Sequence, residues 1–214
     1  MDNELQFYID ETMKHKNNVK NYLLFVSKVL ELKGRKHDDS KLQEPEQSIF
    51  VKYTPKLRNC TYGSKEYKTF LKEMKPALDH HYKVNPHHPE YYSNGIKGMN
   101  LLDLIEMFFD WMAATKRHAD GDIRKSIEIN KKRFGYDDLL AQIFNNTVDY
   151  IDGWFYDVVD KQFCDSDNDA VREIVYDWYT GKSCCTDEYK AKYSKEDYDR
   201  ASSIILTLVS MGLG

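Results

Sequence analysis

The chain has 214 residues, 41% hydrophobic and 31% charged, with a net charge of −4. That is one large domain, or a domain with an appendage, with enough chain to enclose a substantial core. The acidic balance excludes general nucleic-acid binding, which wants a basic face, and no apolar run approaches the roughly twenty residues of a membrane-spanning helix.

Helical periodicity runs nearly throughout. Leu5, Tyr8, Ile9, Thr12, Val19, Tyr22, Leu23, Val26, Val29 and Leu30 recur at spacings of three and four, which predicts a first helix closed by Gly34. A second, short helix is expected to begin near His37 and run into QEPEQSIFVKY. Residues 64–82 predict a further helix, bent at Pro76. Asn100 followed by Asp103 reads as an N-cap with an acidic first turn, opening a long helix through His118. DIRKSIEINKKRFG stops at Gly135, DDLLAQIFNNTVDYI continues the pattern, and Ser194 with Asp197 opens a terminal helix as a capping box. With no alternating strand, internal repeat or low-complexity linker, the expected fold class is all-α. Between residues 152 and 193 the pattern loosens in DSDND and TGKSCCTDE. The expected division is therefore a domain over 1–151 and a C-terminal helical extension over 152–214.

Charge follows a similar division. Residues 1–135 carry 24 Lys and Arg against 19 Asp and Glu, whereas residues 136–214 carry 7 against 16. A mildly basic, histidine-rich N-terminal part suits a small anionic ligand. Cys60, Cys164, Cys184 and Cys185 form no C-x-x-C pair, and the N-terminal MDNELQFYIDE is acidic and polar, unlike a secretory signal. Reduced thiols in a cytoplasm are the expectation.

HHYKVNPHHPEYY, residues 80–92, holds four of the seven histidines, fenced by Pro86 and Pro89. Consecutive residues flanked by prolines lie outside regular helix, so His87 and His88 can both turn inward, and the prolines stiffen the turn as preorganised ligands require. Adjacent helical residues point about 100° apart, so His80 and His81 are not both expected to ligate, and His81 is the favoured one. KHDDSKL, residues 36–42, adds an adjacent His37-Asp38 pair near a helix start. Two metal ions about 3.5–4 Å apart want separate ligands and a carboxylate able to bridge them. In EMFFDWMAATKRH, Glu106 and Asp110 share a helix face at i and i+4, and the apolar residues around Asp110 imply burial. A buried carboxylate is costly unless paired with a cation or metal.

The order His15, His37-Asp38, histidines near 80 and 87–88, then Asp110, resembles the HD-domain superfamily of metal-dependent phosphohydrolases. HDDSK is similar to the HD-x-G-K form, with Ser40 where glycine is frequent. FDWMAA resembles the late metal-binding aspartate helix, and HHPEYY resembles the paired histidine and glutamate of the HD-GYP branch, without the GYP signature. The arrangement is most similar to small HD-like proteins of phage and bacterial genomes, over roughly residues 10–150. The resemblance implies an HD-like helical bundle with His15, His37, Asp38 and Asp110 as basic metal ligands, Asp38 as bridge, and His80 or His81, His87 and His88 completing a second ion's sphere. Two divalent ions are implied, among Mn, Fe, Mg, Co and Zn. The implied reaction is phosphoester cleavage by a metal-activated hydroxide, on a nucleotide or cyclic signalling nucleotide. Lys41 and Arg117 are candidates for phosphate contact, Glu106 for holding a ligand histidine's remaining N–H, and Asn85 and Glu90 for orienting the histidine loop. His118, ending its helix, is read as a dipole partner. The alternatives are an HD-type di-iron oxygenase and a non-enzymatic helical protein that binds a nucleotide or partner. The C-terminal extension is expected to lid the pocket or to mediate homodimerisation.

Overall fold

The computed structural model describes residues 3–58, 64–116, 121–163, 169–179 and 186–210, with the backbone alone for residues 58 and 155–163. Among them every regular element is a helix, so the fold class is all-α. In chain order these are α1 (Asn3–Lys36), α2 (Glu46–Arg58), α3 (Lys65–Glu73), α4 (Lys75–Val84), α5 (Leu101–Thr115), α6 (Ile123–Phe134), α7 (Asp138–Phe163), α8 (Asp169–Tyr179), α9 (Asp187–Lys190) and α10 (Lys195–Ser210). No helix of the described residues is long and apolar enough to cross a membrane.

Local chemistry sets most boundaries where the periodicity places them. Ser64 accepts the Tyr67 N–H and starts α3, and Pro76 sits in the first turn of α4, so the helix bent at Pro76 is in fact two helices meeting at Met74. Asn100 Oδ1 accepts the N–H groups of Leu102 and Asp103 at the head of α5. Asp122 accepts those of Arg124 and Lys125, and Gly135, at φ 67°, ends α6 in the left-handed conformation that glycine adopts without penalty. Ser194 Oγ accepts the Asp197 N–H and donates to its carboxylate, a variant of the capping box that opens α10.

Two boundaries fall elsewhere. Gly34 does not end α1, which continues to Lys36; the left-handed residue is Asp38, at φ 61°. The expected helix from His37 into QEPEQSIFVKY is also interrupted. A single 3₁₀ turn over 39–42 is followed by Pro45, which lacks the N–H needed to continue, and α2 begins only at Glu46. DSDND and TGKSCCTDE fall largely outside the described residues, and the boundary expected near 152 lies within the continuous α7.

The chain divides inside α5 into two compact units, residues 1–107 and 108–214, and α5 runs unbroken through the division. In the second unit Phe108 stacks on Phe144 at 5.2 Å and Trp111 on Phe134 at 6.1 Å, while α8 and α10 enclose Val171, Ile174, Val175, Ala201, Ile204 and Leu208. This is an ordinary apolar core. In the first unit α2 packs on α3 and α4, and the 39–42 turn packs on α2 and α4. The buried ones among the described residues there are Tyr53, Met74, Ala77, Pro89, Ile96 and Met107, but also Glu46, His81, His87 and Asp103. Nearly half of a small core being ionisable is costly, and the cost is tolerable only if each group is paired.

Gly98 closes the 3₁₀ turn Gly95–Gly98 ahead of α5; a Cβ there would meet Tyr92 Cβ at 2.8 Å and the Asn94 side chain closer still. The Tyr92 Cβ is fixed by the backbone and cannot yield cheaply. Gly98→Ala is expected to destabilise the protein by about 1–3 kcal/mol, the usual range for overpacking, read as a lowered thermal midpoint. An unchanged midpoint would show that this turn relaxes freely.

Candidate metal centre

The site is assembled by the end of α1, the turn after it, α2, α4, the proline-bounded loop and α5. Lys33 ties the first of these to the last. Its Nζ donates to Asp103 Oδ1 (2.5 Å) and Glu106 Oε2 (2.8 Å), carboxylates one turn apart on α5. Burial would lower the Lys33 pKa, but the two carboxylates outweigh it and raise it. Asp103 also accepts from Asn100 Nδ2 (2.5 Å) and the Tyr92 hydroxyl, so its burial is fully compensated.

Asp38 stands where α1 stops. Its left-handed backbone, which Asp tolerates better than most residues, reverses the chain into the 39–42 turn through Lys41 N–H to Asp38 C=O (2.8 Å). The reversal brings Asp38 Oδ1 to 3.2 Å from His81 Nε2 and 3.5 Å from His87 Nε2. His88 Nε2 lies 2.9 Å from His81 Nε2. Asp38, His81, His87 and His88 thus each offer one ligand atom, all within 4.8 Å of one another. His37 stands beside this group, its ring centroid 4.4 Å from that of His87 and its Nε2 3.5 Å from Asp38 Oδ2.

Two buried carboxylates decide which imidazole nitrogens face the cluster. Glu46, fully buried, accepts from His81 Nδ1 (2.9 Å), His80 Nδ1 (2.8 Å) and Ser40 Oγ (3.1 Å). Glu106 Oε1 lies 3.0 Å from His37 Nδ1 and 3.3 Å from His87 Nδ1. A carboxylate accepts hydrogen bonds, so the ring proton of each of these histidines is held at Nδ1, which puts the acceptor lone pair on Nε2. For His81 and His87 that lone pair points at Asp38. Asn85 steadies the assembly, donating to Ser40 Oγ (2.8 Å) and the His81 carbonyl (2.9 Å), while its own carbonyl accepts the His88 N–H (3.1 Å).

The result is a set of acceptors facing acceptors. Asp38 Oδ1 and His87 Nε2 are buried and lack a hydrogen-bond partner, although they are 3.5 Å apart. Burial pushes the Asp38 and Glu106 carboxyls up, yet their imidazole neighbours, with Lys41 for Asp38 and Lys33 for Glu106, hold both well below the ordinary carboxylate range. Burial lowers His87, but Asp38 and Glu106 outweigh it and raise its pKa. The field at this point favours a positive charge, and a proton on His87 is the simplest one. A divalent cation satisfies more of the donors at once, and three imidazoles with one carboxylate suit first-row transition metals.

The sequence-derived candidates divide accordingly. His37, Asp38, His81, His87 and His88 converge within the first unit, and Asp110 lies on α5 one turn beyond Glu106, in the second unit. His80 is half-exposed and spends its Nδ1 on Glu46, outside the Asp38 group. His15 is exposed on α1, 21 residues before the helix end and so about 30 Å away along a straight axis. It is therefore not a ligand of this cluster within the chain. Lys41 turns back onto Asp38 Oδ2, which leaves it paired with a ligand and not extended toward open solvent. Arg117 and His118 lie outside the described residues. Glu46 and Lys33 were not singled out by sequence, and Ser40 and Asp103 entered it only as a motif position and a first-turn acid. Glu46 reads as an ordinary first-turn acid, and only its contact with α4 gives it away.

Residues 4–151 match a family model described as a family of unknown function, DUF5662. The chain belongs to that family. The matched stretch holds every converging residue and ends inside α7. No curated protein and no solved structure matches the chain.

Because Asp38 and Glu106 have lowered pKa values in the folded state, the unfolded chain binds protons first on acidification. Their stabilisation is present above the ordinary carboxylate value near pH 4 and is lost as the pH falls below it. Metal-free protein is expected to show a thermal midpoint that falls progressively from about pH 5 downward, with a shallower fall in Glu106→Gln. Parallel profiles in the two proteins would contradict this account.

Proposed function

We propose that the chain is a metal-dependent hydrolase of phosphoesters, acting on a nucleotide or a similarly small phosphorylated substrate. What supports a resident cation is the partnerless, buried pair Asp38 Oδ1 and His87 Nε2, with the Nε2 atoms of His81 and His88 beside them. What supports a hydrolytic reaction is the resemblance of His37-Asp38 and Asp110 to the HD arrangement.

The residues fit an ion by role. Asp38, His81, His87 and His88 supply four donors, which close a tetrahedral shell but leave two places of a six-coordinate one. An ion that accepts six ligands, such as Mn²⁺ or Fe²⁺, therefore leaves room for water and a substrate oxygen. A bound divalent ion supplies Lewis acidity toward a phosphoryl oxygen and brings the pKa of water from 15.7 to about 7. Glu46 and Glu106 keep the imidazoles in the ligand tautomer and add basicity through the ring. Lys41, paired with Asp38, is the ammonium placed to meet a phosphate oxygen once a cation takes over the Asp38 charge.

Elemental analysis of protein purified under anaerobic conditions, with a phosphate-release screen over nucleotides and cyclic nucleotides, tests both parts. Bound Mn or Fe and anaerobic turnover are expected. Asp38→Ala and His81→Ala should lose both while keeping their helical circular dichroism. Glu46→Gln should weaken metal affinity by about 10–100-fold, the usual cost of removing a carboxylate behind a ligand histidine. Wild-type metal stoichiometry in His81→Ala would end the assignment of the site. Turnover that requires dioxygen would replace hydrolysis with oxygenase chemistry, which the same three-imidazole set also suits.

A further inference from the structure

No residue of α1 is buried, although the helix is 34 residues long. Eleven of the 24 large apolar side chains that are exposed among the described residues lie on it, from Leu5 to Leu32. A helix without tertiary support is marginal in water even at good propensity, because most helical stability comes from packing an apolar face. Exposed apolar area concentrated in this way marks an interaction surface.

The apolar positions are ordered. Leu5, Thr12, Val19 and Val26 follow one another at intervals of seven. Tyr8, His15, Tyr22 and Val29 follow at the same interval, three residues on. Two alternating positions in a seven-residue repeat form the seam of paired helices. At the C-terminal end the seam is partly covered, at Val26, Val29 and Lys33, whereas from Leu5 through Tyr22 every seam residue is exposed. The chain covers one end of its own stripe and leaves the other open.

Charge indicates what closes it. Residues 3–12 carry Glu4, Asp10 and Glu11 and no base, and residues 13–25 carry Lys14, Lys16 and Lys20 and no acid. A second copy laid parallel would set acid against acid and base against base. Laid antiparallel, each acidic segment meets the partner's basic one. We infer that α1 pairs with α1 of a second copy of this chain, antiparallel, over about residues 5–25. The segment is roughly 30 Å long at 1.5 Å per residue, and its large apolar side chains offer on the order of the 800 Å² per partner of a standard interface. Thr12 and His15, polar seam residues near the middle, penalise shifted registers, as buried polar seam positions do. This pairing is independent of the metal reading and places His15 in a contact between copies.

Sedimentation equilibrium of the full chain tests it. The wild type is expected at twice its 25.3 kDa mass at micromolar concentration. Val19→Glu with Leu23→Glu should raise the dissociation constant by about thirtyfold or more, the effect of losing central apolar anchors. A second pair of variants avoids burying charge: Glu4→Lys, Asp10→Lys, Glu11→Lys in one chain, and Lys14→Glu, Lys16→Glu, Lys20→Glu in another. Each alone should be monomeric, and an equimolar mixture should dimerise, with circular dichroism confirming that both fold. A wild type that stays monomeric, or charge variants that self-associate as well as the wild type, overturns the inference.

Discussion

Two buried carboxylates, each accepting imidazole N–H groups from two histidines, govern the rest of the first unit. Glu46 holds His80 and His81, and Glu106 holds His37 and His87. A buried carboxylate is expensive unless its lone pairs are filled. Filling them with Nδ1–H groups fixes the tautomer of these four rings, so the Nε2 atoms of His81 and His87 are turned on Asp38. The stability problem and the chemical disposition of the site therefore have one solution. Without the two glutamates the histidines could rotate, or protonate on the other nitrogen, and the convergence on Asp38 would dissolve.

The unusual composition of this core follows. Among the described residues of the first unit, four ionisable ones, Glu46, His81, His87 and Asp103, are buried beside only six apolar ones. Cores normally gain stability from apolar contact, and the second unit, with its Phe108–Phe144 stack and α8–α10 cluster, does so. The first unit replaces part of that gain with charge-assisted hydrogen bonds, which are stronger than neutral ones but unforgiving of a missing partner. Lys33 belongs to the same economy, since its two bonds anchor the end of α1 to α5 and neutralise the second carboxylate layer. Among the described residues of the first unit, the buried side-chain atoms left without a hydrogen-bond partner are Asp38 Oδ1 and His87 Nε2.

Much of the fold was legible because its determinants are local. Ser64, Asn100, Asp122, Gly135 and Ser194 act within four residues of themselves, and caps and turns of this kind declare themselves in a string of letters. Gly34 misled because a glycine near a helix end is permitted, not required, to stop it; α1 ends where Asp38 adopts the left-handed turn. The histidine loop was legible for a related reason, since Pro86 and Pro89 announce that 87 and 88 lie off the helical register. His15 misled because order along the chain carries no distance. One continuous helix separates it from His37, and a helix is a rigid spacer.

By itself the sequence determined the all-α class, the short-range caps and breaks, and a shortlist of histidines and acids rich enough to imply a cation. Those follow from backbone periodicity and from the scarcity of reasons to cluster imidazoles. Only the tertiary structure decided which of them meet, that His81 and not His80 turns inward, and that Glu46 and Glu106 stand behind the ring nitrogens. Such choices depend on how α2, α4 and α5 pack, and packing is a sum of weak contacts between residues 35 to 70 positions apart that no local pattern records.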